Sequence, residues 1–145
     1  MKYSAFLLTV LIFLTNCNSS NINFKKIEFQ ADACFGKCPV FNMTINSDGS
    51  ASYDANMYNE RQGQFKTTIK QNYLDSLNTL INNADIFSLK DNYSTMWTDH
   101  PTYTLTVILN KDSTKIIVDY GPSGPDKLIK IYKLIFSLRQ SQDWK

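Results

Sequence analysis

The sequence predicts an α+β domain: an antiparallel sheet of about six strands in the order ββββ-α-ββ-α, with two helices packed on one face as a second layer. Three observations carry this expectation. Four stretches with a two-residue apolar period come first in the chain, and two more come later. Two stretches with three- and four-residue apolar spacing follow these groups. Short turn signals join several of the strand stretches, which argues for hairpins.

The first strand begins at Phe24, with Ile27 and Phe29 on one side and Lys26 and Glu28 on the other. A loop holding Cys34, Gly36, Cys38 and Pro39 follows. Phe41, Met43 and Ile45 then alternate with Asn42 and Thr44, and Asn46-Ser47-Asp48-Gly49 is a hairpin turn signal. The chain returns with Ala51 and Tyr53 on one side, crosses a polar connector from Asn56 to Gly63, and makes a fourth strand on Phe65, Thr67 and Ile69.

The period then changes. Tyr73, Leu74, Leu77, Leu80, Ile81 and Ala84 lie on one helical face, with Asn72 expected to cap it and Asp75 in its first turn. Residues 85–101 carry no clean period, and a long irregular segment in a small domain is often functional. Phe87, Leu89 and Trp97 are expected to tuck onto the core, and Tyr93, Trp97, Asp99 and His100 are the candidate binding-loop residues. Tyr103, Leu105, Val107 and Leu109 form the fifth strand. After a turn over Asn110-Lys111-Asp112-Ser113, the sixth returns on Ile116, Val118 and Tyr120. Gly121-Pro122-Ser123-Gly124-Pro125 leads into the last helix, with Pro125 at a first-turn position and Asp126 beside it. Leu128, Ile131, Tyr132, Ile135 and Leu138 are its apolar face, and residues 141–145 are expected to fray.

Ahead of this single domain (24–140) stands an address. Lys2 is a short positive region and Ala5 to Leu14 is an apolar run, too short for a permanent membrane span but suited to a signal-peptide core. Leu14-Thr15-Asn16-Cys17 resembles the lipobox of bacterial lipoproteins, with Asn16 where that pattern has Gly, Ala or Ser. The resemblance implies that residues 1–16 are a signal peptide removed in front of Cys17. Cys17 would then carry acyl chains of the palmitate type, and residues 17–23 would be a flexible tether. The expected location is the cell envelope, on the periplasmic face of the outer membrane.

Charge excludes one class of partner. Without residues 1–16 the chain has fourteen basic and thirteen acidic side chains, which is no electrostatic footprint for nucleic acid and no polybasic membrane patch. Of the three cysteines, lipidation of Cys17 leaves Cys34 and Cys38 as an even pair, and in an oxidising compartment the default is a disulfide. Two other readings stand beside it: a redox-active dithiol, or a metal site in which His100, the one histidine, joins both thiolates. The C-x-x-x-C-P spacing is similar to that of copper-handling thioredoxin-like proteins, but here a strand follows where those have a helix.

Ala33-Cys34-Phe35-Gly36-Lys37-Cys38-Pro39-Val40-Phe41, then Asp48-Gly49, Tyr53 and Asp99-His100-Pro101-Thr102-Tyr103, resemble an uncharacterised family of bacterial envelope domains. The likeness covers roughly residues 24–140 and implies an envelope location. It offers no catalytic residues. Asp99 beside His100 lacks a serine motif, and with five glycines the chain has no phosphate-cradling loop. The expected function is therefore a membrane-anchored binding domain without catalysis or cofactor, whose partner is an envelope protein or small ligand. The alternative is an envelope redox or metal-handling protein that uses Cys34 and Cys38.

Overall fold

The structure, a computed structural model, describes residues 23–110 and 113–145. The expected signal peptide, Cys17, the tether before Asn23, and Lys111-Asp112 of the last hairpin turn lie outside the described residues. Seven strands form one sheet: β1 (Phe24–Ala31), β2 (Phe41–Asn46), β3 (Ser50–Ala55), β4 (Gly63–Thr68), β5 (Asn92–Ser94), β6 (Thr102–Leu109) and β7 (Thr114–Tyr120). Helix α1 (Gln71–Ala84) follows β4, and helix α2 (Asp126–Ser141) follows β7.

The strand order is β4-β3-β2-β1-β6-β7-β5, so the first strand sits in the middle of the sheet. The α+β class agrees with the sequence reading, but the sheet is mixed and seven-stranded, where about six strands, all antiparallel, were expected. The difference is β5, which pairs parallel to β7 as Asn92↔Val118, Tyr93↔Asp119 and Ser94↔Tyr120. Three residues are too few to display a two-residue period, so this edge strand leaves no trace in the apolar pattern.

One face of the sheet is the core. Ile27 faces Ile45 and Val107 across its two neighbours, and Phe29 faces Met43 and Leu105. Phe24 joins them although it lies three residues before Ile27, because a bulge at Lys25 shifts the register between Phe24 and Lys26 and turns Phe24 inward. The opposite face is wet and mostly uncharged, with Asn42, Thr44, Ser52, Thr104 and Thr106 along it.

In β7 the inward set is Lys115, Ile117 and Asp119, all buried, while Ile116, Val118 and Tyr120 face the other way. The apolar triplet that marks the strand is thus its outer side. Two satisfied charges make this tolerable. Lys115 Nζ donates to the Leu89 carbonyl and to Asp91 Oδ1. The Asp119 carboxylate accepts from Ser123 N at 2.8 Å, Ser123 Oγ at 3.1 Å and Gly124 N at 3.1 Å.

Both helices cover the core face. Leu74, Leu77, Ile81 and Ala84 of α1 are buried, as are Leu128, Ile131, Tyr132, Ile135 and Leu138 of α2. Asn72 does not cap α1: the cap is Lys70, two residues earlier, which puts Asp75 beyond the first turn, where it accepts from Gln71 Nε2 at 2.9 Å. Pro125 stands just outside α2 as its N-cap, with Asp126 in the first turn.

Helix α2 runs across the strands. It starts at Asp126 beyond β7, brings Tyr132 against Tyr103 of β6 and Phe29 of β1 (ring centroids 5.4 and 5.5 Å), and sets Phe136 against Phe41 of β2 at 5.2 Å. Arg139 then reaches Tyr53 of β3. Residues 141–145, expected to fray, are instead docked. Trp144 is 4% exposed, packs on Tyr53 at 5.2 Å and donates Nε1–H to the Leu138 carbonyl. Lys145 and Lys66 of β4 exchange backbone hydrogen bonds of 2.7 and 3.0 Å.

Candidate functional site

The register brings four connections to one end of the sheet: residues 32–40, 56–62, 95–101 and 121–125. Phe24 and the start of β1 lie at the opposite end. Backbone hydrogen bonds knit these loops together. Asp32 N donates to the Thr102 carbonyl (2.9 Å), Phe35 N to Asp99 (3.3 Å), Val40 N to Met57 (2.9 Å) and Gly121 N to Pro101 (3.0 Å). Asn59 Nδ2 adds a bond of 2.8 Å to the Val40 carbonyl.

Cys34 and Cys38 are joined as a disulfide with Cα atoms 5.7 Å apart. Gly36 sits at the turn of this small ring with φ +151°, a conformation that favours glycine. The ring pushes Phe35 outward, 88% exposed. In this state both sulfurs are bonded to each other, so neither is a thiolate that could join His100 at a metal.

The candidate loop residues divide. Trp97 is 77% exposed beside a wholly exposed Met96, and does not tuck onto the core as expected. Ile86, which the sequence reading did not name, is buried in that region, and Leu89 is buried too. Asp99 and His100 are exposed, and Asp99 adopts a left-handed φ of +72°. Tyr93 points elsewhere: it is half-buried against the core, and its hydroxyl accepts from Lys90 N at 3.1 Å. Gly121 lets this loop close. A Cβ there would lie 2.4 Å from Thr95 Cγ2 and 3.2 Å from the His100 side chain.

Met57 and Tyr58, on the connector between β3 and β4, add half-exposed apolar surface, with Tyr58 at a left-handed φ of +58°. Five of the six large apolar side chains exposed among the described residues (Phe35, Met57, Tyr58, Met96 and Trp97) therefore stand on this end, and the sixth, Ile116, is on the open sheet face. Sequence reasoning named only Trp97 of the five. The Met57-Tyr58 pair inside an otherwise polar connector is the signal that could have found a second patch.

A family of domains of unknown function, DUF6438, matches residues 25–139. The chain belongs to the DUF6438 family. That match spans all the described strands but for Phe24 of β1, and nearly all of α2, so the loop end, the disulfide ring and the open sheet face all lie within the DUF6438 domain. No curated protein matches the chain.

Among the described residues, no group of three or more His, Cys, Asp or Glu side chains is placed to hold a metal ion. No described helix is long and apolar enough to cross a membrane. What the DUF6438 domain does present is a rim of aromatic and methionine side chains on loops held by a disulfide and by cross-loop hydrogen bonds.

Proposed function

We propose that this DUF6438 protein is a cell-envelope lipoprotein, anchored through Cys17 and non-catalytic, whose loop end docks a partner protein. The rim carries this reading: five exposed apolar side chains on pinned loops, at the end of the sheet remote from Phe24. Exposed apolar clusters of this kind mark interaction surfaces, and aromatic and Met side chains are enriched at interface centres. The Cys34–Cys38 ring serves here as a staple that presents Phe35.

Geometry favours a protein over the anchoring membrane as the occupant. The eight residues of β1 cover about 25 Å. The seven residues 17–23 reach at most about 25 Å when fully extended. To lay the rim on the leaflet that holds Cys17, the tether would have to run back fully stretched along the whole sheet. With any slack in the tether the rim falls short of that leaflet and is left to meet a partner in the envelope interior. We place the anchor on the periplasmic face of the outer membrane.

Two measurements test this. Cys17→Ala is expected to move the protein from the membrane to the soluble fraction, and continued tight membrane association would sink the anchor. A photo-crosslinking amino acid at Trp97 is expected to capture protein in whole cells, whereas one at Ile116 captures none. Crosslinks to lipid at Trp97, or binding of Cys17→Ala to phosphatidylethanolamine–phosphatidylglycerol vesicles that Trp97→Glu abolishes, would make the rim a membrane surface instead.

A further inference from the structure

The chain has fifteen cationic side chains, of which two are arginines, Arg61 and Arg139. They lie far apart in sequence, yet both line one cleft of about 230 Å³ between the β3–β4 connector and the end of α2. Arg and Lys are not interchangeable in such a place: the guanidinium is a rigid fork that matches a carboxylate, and it stacks on aromatic rings. Both do stack. Arg61 lies 4.5 Å over the Phe65 ring, and Arg139 lies 5.0 and 5.4 Å from Phe41 and Phe136.

Each guanidinium is held by one donor group and keeps others free. Arg139 Nε donates to Tyr53 Oη at 3.3 Å, and that hydroxyl donates onward to Asn59 Oδ1 at 2.8 Å. Arg61 Nη2 donates to the Trp144 carbonyl at 2.8 Å. Neither arginine has an acidic partner within ion-pair distance among the described residues. The one carboxylate on the cleft, Glu60, accepts from Gln140 Nε2 at 3.1 Å. Two guanidinium groups and Glu60 leave the cleft with a single net positive charge. Phe65 and Trp144 supply apolar wall.

We infer that the Arg61–Arg139 cleft binds the carboxylate of a monoanionic ligand with an apolar or aromatic body. The charge balance favours one carboxylate over a phosphate dianion, and the paired forks favour planar, two-point recognition. The carboxylate could belong to a free small acid or to the end of a partner's chain. This goes beyond the reading of the rim and does not depend on the anchor.

The test uses the full chain labelled isotopically at arginine, whose two Nε–H resonances report on this one cleft. Sodium benzoate is expected to shift both resonances saturably, and benzamide, which keeps the ring but lacks the charge, is expected to shift neither. Acetyl-glycyl-phenylalanine with a free carboxylate and its amidated counterpart form the second pair. Benzoate binding assigns the site to free small acids, and binding of the free-carboxylate peptide alone assigns it to chain ends; either supports the proposal. Arg61→Lys and Arg139→Lys keep the charge and are each expected to weaken binding by about tenfold or more. Glu60→Gln keeps both forks and is expected to tighten it. The proposal falls if no carboxylate gives a saturable shift, if inorganic phosphate binds more tightly than either carboxylate, or if the lysine variants bind as well as the parent. The readout uses neither Trp97 nor Cys17, so its failure leaves the proposed docking function standing.

Discussion

Tyr132 carries its hydroxyl into the core, where it finds no hydrogen-bond partner among the described residues. The Asp119 carboxylate, which accepts from Ser123 and Gly124, lies close enough to influence the phenol but outside hydrogen-bonding geometry with it. Burial first, and then the charge of Asp119, hold the Tyr132 phenol above its ordinary range. Burial also raises Tyr103, which packs beside it. The sign follows from linkage. The unfolded phenol ionises near pH ~10 while the folded one stays neutral, so this contribution is intact below about pH 10 and is lost as pH rises towards the folded value. Tyr132→Phe removes an unsatisfied buried group. It is expected to leave neutral-pH stability unchanged or raised by up to about 1 kcal/mol, and to flatten the alkaline loss, both read by urea unfolding across pH. A clear destabilisation at neutral pH would mean that the hydroxyl has a partner after all.

Asp119 and Lys115 show why the residue scale was only partly legible. Read along the strand, Ile116, Val118 and Tyr120 look like the working face. The other parity wins because Lys115 and Asp119 each meet partners that are remote from it or around a turn, at Leu89, Asp91, Ser123 and Gly124. No apolar period encodes those bonds. The two arginines are legible as residues, but their meeting depends on where α2 ends.

At the scale of elements, long amphipathic segments were the most readable. Leu74, Leu77 and Ile81, and Leu128, Ile131 and Leu138, are buried because helical spacing admits one apolar face for each helix. The three-residue β5 had no such redundancy; it pairs parallel to β7 directly after Leu89 and Asp91, which hold the Lys115 side chain of that strand. The Cys34–Cys38 ring is an element whose contribution can be weighed. A closed loop this short constrains the unfolded chain little, so the double Cys34→Ser, Cys38→Ser variant is expected to lose only about 2 kcal/mol and to keep its sheet. Denaturant unfolding with circular dichroism checks this. A variant that fails to fold would show that the ring organises the sheet, not merely a loop.

Over the whole molecule, the core is sealed from one side by α1 and by α2 with the segment after it, while the other sheet face stays open to solvent. The docked segment 142–145 makes Trp144 a keystone for β4, which otherwise ends the sheet as a free edge. Trp144→Ala is expected to cost about 3–5 kcal/mol. It should also speed amide exchange at Lys66, whose N–H donates to the Lys145 carbonyl. Unchanged exchange at Lys66 would argue that β4 holds its place without the tail.

The transverse course of α2 has a consequence for the order of events when the chain is made. β1 to β4 can pair as they emerge, but the aromatic layer of Phe29, Phe41 and Tyr53 stays uncovered until Tyr132, Phe136 and Trp144 arrive near the end of the chain. The contacts that close the core are therefore among the most distant in sequence, and such contacts form late. A chain built this way cannot complete its core early.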